Sequence, residues 1–156
     1  MKKNTGFIEL RTIEDYCTKL RYDYNELKAD ADNEFKVFNF FLTAYHLLDW
    51  LFKGKHGDPE RIRINKEPII EVCGHIANGI KHFETNRHSA VKEIIKDRYV
   101  EKGYVKDGYF QEPIIIKLDN NAKKVLGDEI EVDILADKII SFWKTELTSR
   151  GITHNL

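Results

Sequence analysis

Residues 32–54 read DNEFKVFNFFLTAYHLLDWLFKG, and this stretch decides the fold. Phe35, Phe38, Phe41, Leu42, Tyr45, Leu48, Leu51 and Phe52 recur at helical spacing, and Val37, Phe40, Ala44 and Leu47 carry the apolar surface around the far side. Asp32 or Asn33 offers an N-cap, and Gly54 follows the end. A helix apolar nearly all round has to be covered from several sides, so this segment belongs at the centre of a domain. It is not a membrane anchor: His46 and Asp49 interrupt it, and it falls short of the roughly 20 apolar residues that span a bilayer.

Upstream, residues 12–30 form a helix with Thr12 as cap and Asp15 three positions on, and with Ile13, Tyr16, Cys17, Leu20, Tyr24 and Leu27 on one face. Downstream, the Gly-Asp-Pro of KHGDPERIRI places a basic loop at 55–64. A third helix covers 66–84, with Asn65 as cap and Pro68 in the first turn. Gly74 and Gly79 inside it each cost roughly 1 kcal/mol against alanine, which a close helix–helix approach would offset.

Residues 90–100 read as a strand or extended piece, with a short helix as the alternative, and EKGYVKDGYFQEP as a loop. Ile114, Ile116 and Leu118 alternate on one strand, and Ile130, Val132 and Ile134 on another. The link 119–128, with Asn120, Asn121 and Gly127, suits a hairpin connection. Ala136, Ile139, Ile140, Trp143 and Leu147 make the stripe of a closing helix at 135–149, with Phe142 and Trp143 wedged near the hairpin, and the tail ITHNL is expected to fray. The expected architecture is α+β, mainly α: a bundle of about four helices with an appended β-hairpin and a C-terminal helix. It forms one domain over 1–156, divided into a helical core (12–84), an extended segment with the hairpin (90–134) and the closing helix.

Composition narrows the function classes. In 156 residues, 25 Lys and Arg balance 26 Asp and Glu, so no dominant electrostatic grip on nucleic acid or membrane is indicated. No signal peptide opens the chain: polar residues, and no apolar run, follow the lysines of MKKNTGFIEL. Cys17 and Cys73 lack zinc spacing and read as plain buried thiols, which fits a reducing cytoplasm. There is no Gly-rich phosphate loop, G-x-S-x-G elbow or His-Glu-x-x-His, and no cofactor is expected.

Two short stretches carry the candidate chemistry. His46 and Asp49 are three apart on the central helix; Asn78 and His82 are four apart on the next, with Lys81 beside them. If the two helices pack together, these side chains share one pocket. His82 or His46 would then serve as general acid or base, Asp49 would orient His46, and Asn78 and Lys81 would meet a substrate hydroxyl or phosphate. The same residues also read as buried polar pins that satisfy one another and fix helix register. A metal site from His46, Asp49, His75 and His82 is disfavoured because His75 and His82 stand two turns apart. Lys81, Arg87 and His88 form a small basic patch near the helix end, which either is a solvated end where Lys81 and His82 complement the negative pole or meets RNA. Tyr99, Tyr104, Tyr109 and Phe110 either cover the hairpin or stack on bases.

The stretch ANGIKH resembles the signature of the HEPN-like superfamily, small helical proteins of toxin–antitoxin, CRISPR and anti-phage systems. There an arginine, often followed by a polar residue, precedes a histidine by four to six positions. Asn78 matches the polar position and His82 the histidine, while the arginine position is Ala77. In active members that arginine contacts the scissile phosphate, and the paired sites meet across a dimer. The resemblance therefore implies a homodimeric protein without the catalytic arginine, acting as an interaction or RNA-associated module in a defence or mobile-element setting. An atypical metal-independent ribonuclease using His82, and a structural or adaptor domain without catalysis, are the alternatives. AYHLLDW, a loop, then N-x-x-KH is also similar to a group of bacterial or phage-associated proteins that continue with a hairpin and a helix containing Phe-Trp, a likeness covering about 32–148.

Overall fold

A computed structural model describes residues 7–82, 89–96, 105–106, 109–110 and 113–156, with side chains for 7–79, 89–96 and 113–156. The element order is α1 (Ile13–Ala29), α2 (Glu34–Phe52), α3 (Pro59–Asn65), α4 (Pro68–His82), β1 (Val91–Lys96), β2 (Val105–Lys106), β3 (Tyr109–Phe110), β4 (Ile114–Leu118), α5 (Asn120–Leu126), β5 (Glu129–Glu131) and α6 (Val132–Ser149). The architecture is mainly helical with a small antiparallel sheet. Strands β1, β4 and β5 form that sheet in the order β1-β4-β5; β2 and β3 pair separately. No helix among the described residues is long and apolar enough to cross a membrane.

Local signals set the boundaries. Thr12 and Asp15 make a reciprocal capping box: the Asp15 amide donates to Thr12 Oγ1 at 3.2 Å, and the Thr12 amide to Asp15 Oδ2 at 2.8 Å. Asn33 caps α2 by accepting from Phe35 and Lys36, and Lys53 ends it in the left-handed region (φ 47°).

Around α2 the core closes. Phe40, Phe41, Ala44 and Leu47 have no exposure, nor do Leu20, Leu27, Ile64, Ile70, Leu135, Ile139 and Trp143 from the surrounding helices. Burying each large apolar side chain contributes about 1.5–3 kcal/mol. Polar ties fix the neighbours: Thr43 Oγ1 donates to Oδ2 of the buried Asp23 at 2.5 Å, and Lys19 Nζ meets the same oxygen. Tyr24 and Lys28 hold Asp137 on α6 at 2.7 and 3.0 Å. The sheet lies against α4 and α6, with Ile114, Ile116 and Leu118 facing the core.

Several expectations are corrected. Residues 55–64 are not wholly loop: Asp58 caps and Pro59 opens helix α3, because a Pro at the first helical position gives up no hydrogen bond. Asn65 ends that helix and does not cap the next. The link 119–128 does join two strands that pair antiparallel, but it holds helix α5, capped by Asp119, and not a simple turn. β5 is only three residues long, so the closing helix begins at Val132, and Ile134 sits exposed on it. β4 and β5 do pair antiparallel, and 91–96 is a strand that adds to them, so a three-stranded sheet replaces the lone ribbon. Six helices of the described residues replace four. Phe35 is 80% exposed and lies off the apolar stripe. The tail is held: the Ile152 amide donates to Leu147 O at 3.0 Å, and Asn155 Nδ2 to Thr18 Oγ1 at 2.9 Å. Both cysteines are buried and free, and burial pushes the Cys17 thiol up to about 11 and the Cys73 thiol up as well.

The two α4 glycines part company. A Cβ at Gly74 would stand 2.6 Å from Tyr45 Cε2, whereas one at Gly79 meets nothing within 4 Å. Close approach accounts for Gly74 alone. Gly74→Ala is therefore expected to destabilise by about 1–2 kcal/mol, overpacking outweighing the helix-propensity gain, and Gly79→Ala to stabilise by up to about 1 kcal/mol. Urea denaturation of both variants tests the pair, and in a Tyr45→Ala background the sign at Gly74 should reverse.

Candidate polar site between the central helices

The missing side chain at Gly74 lets the Tyr45 ring pack closely against α4. Its hydroxyl donates to Asn65 Oδ1 at 3.3 Å and is also hydrogen-bonded by Asn78. Asn78 Nδ2 donates back to Gly74 O at 2.8 Å, the i−4 bond of a polar residue within a helix. Cys73 Sγ donates to Phe41 O at 3.4 Å one residue away, a second tie between α2 and α4. Burial raises the Tyr45 hydroxyl above the usual tyrosine range.

His46 follows Tyr45, and the rings meet edge-on at 5.7 Å. His46 Nδ1 lies 2.8 Å from Asp49 Oδ2, one helical turn on. The other Asp49 oxygen accepts from Arg61 Nη2 at 2.8 Å, and Arg61 Nη1 donates to Leu48 O at 3.0 Å. Hydrogen bonding by His46, together with the Arg61 guanidinium, holds the Asp49 carboxyl down to about 2 despite partial burial. Against this cluster, Tyr16 of α1 stacks on Trp50 at 4.8 Å; burial, then the charges of Asp23 and Asp49, push its hydroxyl far up.

The structure thus brings Asn78 beside Tyr45, one residue from His46 and four from Asp49. Chemically, an aspartate fixing Nδ1 of a histidine leaves Nε2 as the ring's other working nitrogen, the arrangement of an oriented general base. Arg61 supplies the positive charge, but its guanidinium is committed to Asp49 and Leu48. Tyr45, Arg61 and Asn65 were not singled out from the sequence as members of this site. The signal for Arg61 and Asn65 is the Asp-Pro pair at 58–59, a helix start that carries both residues toward α2.

His82 and Lys81 close α4, and their side chains lie outside the described residues, as do Arg87, His88, Tyr99 and Tyr104 and the side chains of Tyr109 and Phe110. His75 faces the sheet, where its Nδ1 accepts the Val91 amide at 3.0 Å, so it is not near His46 as a fellow ligand. Among the described residues no three His, Cys, Asp or Glu side chains converge as a metal site would require. Compared with protein-family models, with curated proteins and with solved structures, the chain matches none.

Asp49 gives this cluster a pH signature. Its folded value lies below the ordinary 3.8, so its contribution is complete above about pH 5 and lost as pH falls toward 2. The depression corresponds to roughly 2 kcal/mol, and with the side chain 39% exposed, solvent screening leaves about 1 kcal/mol. Asp49→Asn should lower stability by about that much at pH 7, and the gap to wild type should close by pH 2–3. Urea titrations at the two pH values check it; an equal gap at both would remove the electrostatic account.

Proposed function

We propose that the chain is a HEPN-like protein without the catalytic arginine, acting as an interaction or RNA-associated module, as a homodimer, in a defence or mobile-element setting. One observation carries the non-catalytic part of this reading. Ala77, at the position the resemblance assigns to arginine, is 2% exposed on α4. Its methyl group offers no charge to a phosphate. The neighbouring Asn78 amide is already engaged with Gly74 O and Tyr45, which suits a pin holding two helices in register better than a substrate contact.

The competing ribonuclease would use His82 as acid or base with Asn78 and Lys81 at the phosphate, and His46, oriented by Asp49, would be its second candidate acid or base. Removing a general acid or base costs such an enzyme about 10²–10⁴ in rate. Purified protein and His82→Ala, each incubated with total RNA, are expected to show no His82-dependent cleavage, while RNA mobility shifts or a copurifying partner appear. Cleavage that His82→Ala abolishes would establish the ribonuclease instead. Sedimentation should find a dimer; a monomer that neither binds RNA nor retains a partner would leave the structural or adaptor reading.

A further inference from the structure

Away from the His46 cluster, the start of α2 and strand β1 bound a cleft of about 310 Å³. Val37, Phe38, Ile76, Ile94, Ile95 and Ile114 supply its apolar walls. Glu34 and Lys96, paired at 3.4 Å, stand at one edge and are shared with an open hollow of about 370 Å³. That second hollow is acidic: among its described lining residues Asp30, Asp32 and Glu34 face the single ammonium of Lys96. Lys36 adds one cation nearby, itself held by Glu26 and Asp30 at 3.3 and 3.4 Å. Asp30 and Asp32 lie close enough to share a hydrogen bond, which raises Asp32 and lowers Asp30. Two carboxyls held in contact gain from any cation brought beside them. Phe35, Phe38 and Ile94, respectively 80%, 38% and 49% exposed, extend the apolar surface past the cleft.

We infer that this face docks a basic amphipathic segment of a partner protein, bulky apolar side chains entering the cleft and Lys or Arg meeting Asp30, Asp32 and Glu34. An apolar patch rimmed by carboxylates suits a segment of that composition. Nucleic acid is repelled by the same acids. A second copy offering the same face would set Asp30, Asp32 and Glu34 against their own equivalents, because a two-fold contact is self-facing. The inference rests on the interaction-module reading and names the chemistry of its partner. RNA association that persists without peptide binding would remove this inference alone.

Fluorescence anisotropy with labelled synthetic peptides tests it. One peptide carries leucines along one helical face with lysines elsewhere, a second replaces Lys by Glu, and a third replaces Leu by Ser. The Leu/Lys peptide is expected to bind at least about tenfold more tightly than either other, and more weakly at high salt. Glu34→Lys and Phe35→Ser, at exposed positions that leave the core intact, should each weaken it by about tenfold, with unchanged thermal melts. Val125→Ser, on the exposed side of α5, should bind as wild type. The proposal is overturned if no peptide binds, if all three bind alike, or if the Glu34 and Phe35 variants bind normally. It is equally overturned if sedimentation shows a dimer that Phe35→Ser dissolves, since the occupant is then a second copy.

Discussion

Everything in this fold follows from one helix that cannot face water. With Phe40, Phe41, Ala44 and Leu47 fully buried on one helix, α2 needs cover over most of its circumference. α1, α4 and α6 supply it, and the sheet packs on the outer helices of that arrangement. Cover on several sides forces polar groups to be settled at the seams. Asp23 meets Thr43 and Lys19 at the α1 seam. Tyr45 and Asn78 meet at the α4 seam, where only a glycine at 74 leaves room for the ring.

Periodicity revealed the long elements because it records which face is buried. The 3.6 repeat in 12–30, 32–54 and 66–84 and the alternation of Ile114, Ile116 and Leu118 gave elements that the structure contains. Short helices escaped for a physical reason: two turns bury too little to leave a periodic trace. α3 buries Ile64 and α5 buries Ala122, one residue each, so only the caps Asp58 and Asp119 announced them. The same Asn and Gly residues that favour turns also start and stop helices, and at 119–128 the helix won. The tail escaped because its order comes from distant partners, Thr18 and Arg21 on α1, that no local reading sees.

For the polar site, spacing predicted His46 with Asp49, and the structure places them 2.8 Å apart. Asn78 reaches the same seam, but through Tyr45. An aromatic at helical spacing reads as core, and its hydroxyl becomes informative only once a neighbouring helix brings Asn65 and Asn78 to it. Arg61 required a helix where a loop was expected. Asn65 and Arg61 act from α3, so one misassigned segment hid two partners.

The two polar regions of the molecule differ in how far their charges are spent. Around His46 each strong group has its counterpart: Asp49 accepts from His46 and Arg61, and Arg61 donates to Asp49 and Leu48. Through Arg61 these bonds tie α2 to α3. At the start of α2 the balance is unfinished: the carboxyls of Asp30, Asp32 and Glu34 outnumber the ammonium groups of Lys36 and Lys96 beside them, and apolar walls next to them stay open. Recognition needs groups whose interactions improve on binding, and a saturated network offers few. That contrast, more than any catalytic spacing, is what supports the proposed docking face at the start of α2.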